Sequence, residues 1–456
     1  MALPVLKALI TKAAPERLLP HARADLRQLL LSAVLLAGFT SLVHAQTQPD
    51  TDATSSAIAG NPGAVDIVAG TGELGWLLGL EPESGLRLGG VLVSNGNYLI
   101  SGGNAPGTAS FNNLLVTALN ADLDRLAHIP GASFGAAMLR FDGQPTNQQA
   151  GVVTFYDGLT GAPPLDRTEL YELWWRQSFF SDQLVLRIGK TVPTYDFGNV
   201  VRPVPVQDLT LQIPAVSGLL YTPIFVNPTI LGALPGYYNS AYGVTATVAP
   251  TERFYVSLGG YDGNVARGQQ TGLQLAPTFN GYRFQIGETG TAWLLGPDNL
   301  PGAFAVGGWN QTGTLTLSTQ PGGVTQSGTH GAYAFASQRL WRGAGDGDTR
   351  GVSGFIQLGA NDSRTMIATR YVGLGLTAFG VIPGRPADSL GAGVAWSGLN
   401  RNRNLRSNEA LLQFYDQIQV FGSVYLQPTL TLSPNPGEKT ARAPAVAFTI
   451  QSTVLF

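Results

Sequence analysis

From Leu86 onward, short stretches of the chain alternate between apolar and polar residues, and turn-forming residues separate them. In one such stretch, Val244, Ala246 and Val248 alternate with two threonines. Successive side chains of a β-strand point to opposite faces of a sheet, so a period of two predicts strands rather than helices. The same period occurs in Phe134–Phe141, Phe254–Leu258 and Leu390–Trp396. The sequence therefore predicts an all-β chain of many short strands, each with one apolar face.

The last predicted strand, Phe448 to Phe456, is the most specific of these segments. Its two faces differ in polarity, with only Ser452 interrupting the apolar one. One face carries Thr449, Gln451 and Thr453, and the other carries Phe448, Ile450, Val454 and Phe456. An amphipathic strand that ends in phenylalanine resembles the recognition signal of bacterial outer-membrane proteins. This resemblance implies the outer-membrane assembly machinery as a partner, acting through Phe456.

Charged residues make up only 12% of the chain, about half of the ~25% found in an average soluble protein. Such a chain either contacts lipid or forms a low-charge secreted fibre. No internal segment has the about 20 consecutive apolar residues of a transmembrane helix. Lipid admits only helices and closed barrels, because every backbone polar group must be paired there. We therefore predict a transmembrane antiparallel β-barrel in the bacterial outer membrane, with its apolar face toward lipid.

The length of the chain sets the number of strands. A membrane-spanning strand takes about 9–11 residues, and with its turn or loop each unit takes roughly 25. Residues 86–456 then form a barrel domain of about sixteen strands, an even number as in other bacterial barrels. Barrels of sixteen to eighteen strands enclose an aqueous channel, whereas eight-stranded barrels are filled by side chains. The predicted class is therefore a diffusion pore.

The first 45 residues predict an export signal. Basic residues precede an apolar stretch from Leu29 to Val43, and Val43-His44-Ala45 resembles a small-x-small cleavage site. We expect a cleaved signal peptide over residues 1–45, with a retained anchor helix as the alternative. Residues 46–85 then form a flexible leader that includes a short helical segment, Glu73 to Leu80.

Composition excludes several kinds of chemistry. The chain has no cysteine, which removes disulfides, thiolate metal sites and cysteine nucleophiles. Beyond the export signal only His128 and His330 remain, and no Gly-x-Ser-x-Gly nucleophile motif is present. The net charge of −2 gives no basic excess for a nucleic-acid partner. We therefore expect no catalytic residue, no metal and no cofactor.

One segment, from Thr191 to Ser240, breaks the strand pattern. It contains seven prolines, and proline cannot donate the backbone hydrogen bond that a central strand needs. A loop of this length is usually functional. It either folds into the mouth of the barrel and narrows the pore, or it is a long extracellular loop. The sequence leaves both alternatives open.

The segment before this loop supplies candidate pore-lining residues. Between Leu170 and Ser178, the side chains of Glu172, Trp174 and Arg176 fall on one face. A charged side chain against mid-membrane lipid costs about 2–4 kcal/mol, so Glu172 and Arg176 are expected to face the lumen, and so is Arg187. The opposite face, which suits lipid or an aromatic girdle, carries Tyr171, Leu173 and Trp175.

The same reasoning extends the set of expected lumenal residues. It places Arg140 and Arg253 inward, and Asp196 and Arg202 would line a constriction if the proline-rich segment folds inward. The full set is Arg140, Glu172, Trp174, Arg176, Arg187, Asp196, Arg202 and Arg253. For each charged residue the alternative is a wall charge paired with a neighbour, and for Trp174 it is a packing or girdle position.

Three segments resemble a known family, the carbohydrate-selective porin B (OprB-like) family. They are ELYELWWRQSFFSDQLVLRIGKTVPTYDF (Glu169–Phe197), FDGQPTNQQAG (Phe141–Gly151) and YLQPTLTLSPNPG (Tyr425–Gly437). The resemblance extends from about Gly75 to Phe456. It implies a sixteen-stranded outer-membrane channel for passive diffusion of small neutral sugars, in contact with membrane lipid and lipopolysaccharide, with a homotrimer as one assembly. A general, non-selective diffusion porin is the alternative that the residues alone do not separate.

Overall fold

The computed structural model describes residues 72–456 except 160, 164, 199–226, 235–238, 265–274, 318–321, 345–347, 349 and 442. The strands are β1 (Leu86–Ser101), β2 (Ala109–Asp122), β3 (Ala132–Gly143), β4 (Arg167–Phe179), β5 (Leu184–Thr191), β6 (Ala241–Thr251), β7 (Phe254–Asp262), β8 (Arg283–Leu295), β9 (Leu300–Thr316), β10 (Thr325–Arg342), β11 (Gly351–Asn361), β12 (Ala368–Phe379), β13 (Ser389–Leu399), β14 (Asn408–Phe421), β15 (Val424–Ser433) and β16 (Ala445–Leu455). The α-helices of this part of the chain are α1 (Glu73–Leu77), α2 (Leu123–Ala127) and α3 (Thr146–Ala150). The predicted signal peptide and the leader up to residue 71 lie outside the described residues.

The sixteen strands form one closed antiparallel barrel, which confirms the predicted fold. Each strand pairs with its neighbours in sequence, and β1 pairs with β16. Along this seam Val93 lies opposite Thr453, and Asn97 lies opposite Thr449. Closure removes the free edges of the sheet, so the backbone groups of the wall are paired without help from water.

The seam ends where Phe456 meets Gly90. The two residues exchange both of their backbone hydrogen bonds, at 2.7 and 3.0 Å. The Phe456 ring also lies against Gly90, because a Cβ added to Gly90 would be 2.9 Å from the ring. Helix α1 packs beside the first residues of β1, with Gly75 against the Leu88 backbone. The predicted helical segment Glu73–Leu80 is thus observed over Glu73–Leu77.

The two faces of the wall differ in polarity in the way predicted for a membrane barrel. In β16, Phe448 and Ile450 are 37% and 47% exposed, whereas Thr449, Gln451 and Thr453 are buried on the opposite face. Exposed large apolar side chains also occur on each of the other strands except β2. Apolar residues outside and polar residues inside are typical of a lipid-facing barrel with a water-filled interior. No helix of the described ranges is long and apolar enough to cross a membrane.

The connections divide into short turns at one end of the barrel and longer loops at the other. Residues 180–183, 252–253 and 422–423 form turns at the short-turn end. Residues 144–166, 192–240 and 263–282 connect strands at the long-loop end. Because the number of strands is even, β1 begins and β16 ends at the short-turn end.

A β-bulge changes which residues of β4 face inward. Ala137 pairs with Glu172 and Met138 pairs with Leu170, so Tyr171 is an extra residue on β4. One extra residue reverses the alternation of faces. Tyr171 is therefore buried like Glu172, and the prediction that Tyr171 faces lipid is wrong. Leu173 and Trp175, beyond the bulge, are exposed as predicted.

Strand β5 carries a glycine with a positive φ next to this bulge. Gly189 has a φ of +136°, and a Cβ added there would lie 2.3 Å from the Leu173 carbonyl oxygen. The next residue, Lys190, is fully buried and donates from Nζ to the Leu170 carbonyl oxygen at 2.7 Å. A buried ammonium group needs such partners, because an unpaired charge in the wall would be costly.

Candidate functional site

The inner surface of the barrel carries a loop segment from residue 147 to residue 159, between β3 and β4. Asn95 of β1 donates to Asp157 Oδ1 at 2.7 Å, and Gln413 of β14 donates to the Tyr156 carbonyl oxygen at 3.0 Å. Strands β15 and β16 separate β1 from β14 in the wall. The segment therefore runs along the inside of the wall, and we call it the first inner segment.

Hydrogen bonds hold the first inner segment at the side of β1 and β2. Asp157 Oδ2 accepts from Asn112 at 3.3 Å, and Asp157 Oδ1 accepts from the Leu159 amide at 2.9 Å. Asn147 Oδ1 accepts from the amides of Tyr156 and Asp157 at 2.8 and 3.0 Å. Burial raises the pKa of Asp157 to about 6, against the opposing effect of these hydrogen bonds.

A buried carboxylate of β14 holds the other side of this segment. Glu409 accepts hydrogen bonds from the amides of Val153 and Thr154 at 3.0 and 2.8 Å. It also accepts from the Gly437 amide, which belongs to the loop between β15 and β16. Backbone amides thus satisfy the hydrogen-bonding capacity of this buried carboxylate. The first inner segment is therefore held at β14 as well as at β1 and β2.

A second inner segment follows β5, and its described residues are 192–198 and 227–234. Its 3-10 helix, Pro193–Tyr195, is followed by Asp196, which forms an ion pair with Arg187 of β5. Thr245 of β6 also donates to Asp196 at 3.0 Å. The amide of Gly198 then donates to Glu288 Oε2 of β8 at 2.7 Å. The chain thus crosses the inner face from β5 to β8.

The far end of the same connection lies against the inner face of β11. Asn227 donates to the Leu358 carbonyl oxygen at 3.1 Å, and Asn361 donates to the Thr229 carbonyl oxygen at 2.6 Å. Gly359 permits this approach, because a Cβ there would be 2.3 Å from Thr229 Oγ1. Of the two alternatives for Thr191–Ser240, the inward one holds for residues 192–198 and 227–234. Residues 199–226 lie outside the described part.

Glu288 is the centre of a buried polar group under the second inner segment. The hydroxyl groups of Tyr255 and Tyr333 donate to its carboxylate at 2.5 and 2.8 Å. With the Gly198 amide, three donors reach one carboxylate that is 5% exposed. This arrangement fixes the orientation of two tyrosine rings and one loop against β7, β8 and β10.

Four of the predicted pore-lining residues come together on the inner face of β4 and β5. Arg187 lies between Asp196 and the Trp174 ring, with its Cζ 5.8 Å from the ring centroid. Glu172 is a second carboxylate that interacts electrostatically with Arg187. The Trp174 ring lies against Gly135 of β3, where an added Cβ would be 2.3 Å from the ring. We call Glu172, Trp174, Arg187 and Asp196 the inner cluster.

Arg176 lies on the same inner face as Trp174 but close to the short-turn end. It forms an ion pair of 3.3 Å with Asp182 of the β4–β5 turn, and the two side chains are 37% and 49% exposed. For Arg176 the structure therefore matches the alternative given above, in which the charge belongs to the barrel wall and is paired with a neighbouring residue.

Two predicted positions are wrong. Arg140 lies on the outer face of β3 with Met138, is 51% exposed and pairs with Asp142 at 3.3 Å. It avoids the cost of facing lipid because it lies at the loop end of its strand, where headgroups and water meet the protein. Arg253 is an exposed residue of the two-residue turn between β6 and β7, so it does not line the wall. Arg202 lies outside the described residues.

Sequence reasoning missed Asp157, Glu288 and Glu409. Glu288 could have been found, because it lies in the middle of an alternating stretch and the cost of a charge in lipid requires it to face inward. Asp157 and Glu409 had no comparable signal. Their partners come from loops and from distant strands, and Glu409 and Thr154 are 255 positions apart.

Metal binding finds no support in the described ranges. They contain no group of three or more His, Asp and Glu side chains arranged to hold a metal ion. His330 is exposed and pairs with Asp362 at 3.2 Å. His128 is the C-cap of α2 and has a left-handed backbone conformation, and its amide donates to a carbonyl oxygen of the helix.

The closed barrel, its polar inner face and its inward-folded loops define this chain as a porin-type membrane channel. Residues 108–456 match the family model of the carbohydrate-selective porins, OprB family, and the chain belongs to that family. It is thus an outer-membrane carbohydrate channel and not an enzyme, as predicted.

Solved structures share the fold. The high-pH structure of Pseudomonas putida OprB matches with a TM-score of 0.71 at 18% identity, covering 84% of this chain and 97% of that chain. The low-pH structure of Pseudomonas putida OprB matches with a TM-score of 0.53 at 16% identity, covering 85% and 97%. At these identities the likeness concerns the fold alone. No curated protein sequence matches the chain.

Proposed function

We propose that the barrel lets small neutral sugars diffuse passively across the outer membrane, past the inner cluster. The observation that carries this proposal is the grouping of Glu172, Arg187 and Asp196 with the Trp174 ring on the inner face. The partly exposed Asp196 carboxylate and Arg187 guanidinium supply an acceptor and donors for sugar hydroxyls, and the Trp174 ring supplies a face for sugar C–H groups. The buried Glu172 carboxylate interacts with Arg187 from the wall. Arg187 offsets the charge of one of the two carboxylates, so the cluster keeps one negative charge and favours a neutral solute over an anion.

Passive flow also requires that binding in the channel be weak. A solute must bind well enough to enter and weakly enough to leave. In the inner cluster Arg187 already interacts with Asp196 and Glu172, so a sugar competes with internal pairs instead of filling an empty charged pocket. The two inner segments narrow the lumen and bring the solute close to the wall.

Other features of the proposal concern the setting of the channel. Residues 1–45 are removed as a signal peptide. The long-loop end of the barrel faces the outside of the cell, and the outer-membrane assembly machinery recognises Phe456. The outer face contacts membrane lipid and lipopolysaccharide, and the homotrimer is the assembly to test first. A general diffusion porin is the alternative function, and Arg176 and Arg202 are further lumenal candidates.

Liposome swelling with the purified protein tests this function. We expect faster swelling with small sugars than with amino acids of matched size. Equal rates would remove selectivity and favour the general porin, and no swelling would remove the pore. The double variant Glu172→Gln/Arg187→Gln should reduce the preference for sugars, whereas Arg140→Gln, on the outer face, should leave both rates unchanged.

A further inference from the structure

The outer face of β12 carries an arginine where its apolar surface ends. Arg370 is exposed and shares its face with Val372 and Leu374, which are 36% and 47% exposed. Its neighbours across the sheet are Ala360 of β11 and Gly398 of β13. Because both neighbours are small, neither of them shields the guanidinium. Arg370 thus projects from the wall at the boundary between the apolar band and the long-loop end.

Two more exposed arginines lie in the loops next to Arg370. Arg364 belongs to the loop between β11 and β12, and Arg401 to the loop between β13 and β14. These loops are bound to each other, since Asn402 donates to the Arg364 carbonyl oxygen at 3.2 Å and Asn400 donates to the Ser363 carbonyl oxygen at 2.9 Å. We call Arg364, Arg370 and Arg401 the outer arginine patch.

The charges of this patch are not neutralised by nearby carboxylates. None of the ion pairs among the described residues includes a member of the patch. The acid of the same loop, Asp362, accepts from Thr329 at 2.6 Å and from the His330 amide at 2.8 Å. At the same end of the barrel, Arg140 has Asp142 as its partner. The outer arginine patch is therefore a local excess of positive charge.

The surface below the patch suits acyl chains. Trp396 of β13 lies opposite Val372, the next residue below Arg370 on the same face, and is 40% exposed. Tryptophan prefers the level at which a membrane changes from hydrocarbon to headgroup. Arginines placed just above this level meet the phosphates of a lipid, and a guanidinium binds phosphate through two parallel hydrogen bonds.

We infer that the outer arginine patch binds the phosphate groups of a phosphorylated glycolipid of the outer leaflet, with its acyl chains along β12 and β13. The inference rests on the proposed function in two respects, namely that the long-loop end faces the outer leaflet and that the outer face contacts lipopolysaccharide. It assigns a lipid site on the outer wall and makes no use of the lumen. Sugar flow and lipid binding are therefore separable.

Binding of bisphosphorylated lipid A to the full-length protein in detergent tests the inference. We expect Arg364→Ala/Arg370→Ala/Arg401→Ala to weaken binding by at least about 100-fold, since each charge-assisted hydrogen bond to phosphate is worth about tenfold in affinity. Arg370→Lys should give an intermediate affinity, because it keeps the charge and removes the two-point geometry. Arg140→Ala/Arg253→Ala is the matched control and should bind within about twofold of the unchanged protein.

Three results would overturn the inference. The triple variant could bind lipid A as tightly as the unchanged protein, or lipid A without phosphates could bind equally well. Displacement of lipid A by inorganic phosphate at equal phosphate concentration would assign the patch to free anions instead. Heat modifiability of the folded band checks that each variant forms the barrel, and Arg370→Gln alone serves if the triple variant does not.

The same variants separate this inference from the proposed function. Swelling rates of the triple variant should match those of the unchanged protein. An unchanged protein that gives no swelling but binds lipid A in a phosphate-dependent way would remove the sugar channel and leave the lipid site intact.

Discussion

At the scale of single residues, glycine decides how closely the parts of the wall approach one another. A side chain at position 135 would collide with the Trp174 ring, and one at position 189 would collide with the Leu173 carbonyl oxygen. These two glycines therefore permit the packing of β3, β4 and β5 in the wall.

Replacing Gly189 tests this role. We expect Gly189→Ala to lower the free energy of unfolding by about 2–4 kcal/mol, because a left-handed backbone and a collision with the Leu173 carbonyl add together. Urea unfolding in lipid vesicles measures the decrease. Gly308→Ala is the control, since a Cβ there meets only the Gly331 carbonyl oxygen at 3.7 Å. Equal stability of the two variants would contradict the argument.

The two predicted arginines of the inner face should differ in their effect on stability. Arg187→Ala leaves Asp196 without its cation in a site where the two side chains are only 16% and 21% exposed, so we expect the free energy of unfolding to fall by about 3 kcal/mol. Arg176→Ala breaks a pair that is largely exposed, so it should cost under about 1 kcal/mol. The same urea titration compares both, and a larger decrease for Arg176→Ala would refute the ranking.

At the scale of elements, the two inner segments form polar contacts that connect strands which are not neighbours in the barrel. The first links β1 and β2 to β14 through Asp157 and Glu409. The second links β5 to β8 and β11 through Asp196 and Glu288, and then through Asn227. The described part of each segment is held at several points, so the wall on which it lies fixes its course there.

The packing of the first inner segment should depend on pH. The folded pKa of Asp157, about 6, lies above its ordinary value. The packed segment therefore holds a proton that the released segment loses, and its stability is greatest below about pH 4 and falls as the pH rises through about 6. Amide exchange of residues 147–159, corrected for intrinsic rates, measures the free energy of opening of this segment. We expect that free energy to be lower by about 2–3 kcal/mol at pH 7 than at pH 4.

A matched pair of variants controls this measurement. Asp157→Asn cannot ionise, so most of the pH dependence should be lost in it and only the part due to Glu409 should remain. Asp142→Asn, on a partly exposed residue of β3, should keep the full dependence. Protection that increases between pH 4 and pH 7 in the unchanged protein would have the wrong sign and would reject the assignment to Asp157.

Sequence patterns predicted the strands better than the positions of individual side chains. Period-two alternation and length predicted about sixteen strands, and the faces of Thr449, Gln451 and Thr453 were correct. Tyr171 was misplaced because a bulge depends on the partner strand and leaves no periodic signal. Arg140 was misplaced because the rule against charges in lipid does not apply at a strand end.

At the scale of the whole molecule, closure joins the last strand to the first. Strand β16 pairs with β1 from Val446 to Leu455, and Phe456 adds a pair with Gly90 at the end of this seam. Such pairing has a high sequence separation, which makes it a late and slow event in folding. A factor that binds β16 and promotes its pairing with β1 would therefore speed folding of the barrel.

Phe456→Ala tests the proposed recognition by the assembly machinery separately from packing in the seam. We expect the folded fraction in outer membranes to fall several-fold, while spontaneous folding of the purified chain into detergent changes little. Val454→Ala, on the same face of β16, is the control for the removal of apolar surface. A similar decrease for both variants in cells would show that Phe456 acts only through packing.

The even number of strands also determines on which side of the membrane an added sequence would be displayed. A tag joined to Phe456 lies at the short-turn end, beside the start of β1. A tag inserted at Gly107, in the loop between β1 and β2, lies at the opposite end, where a Cβ would meet nothing within 4 Å. One molecule therefore offers two labelling sites on opposite sides of a membrane, and antibody access to each in intact cells would report its orientation directly.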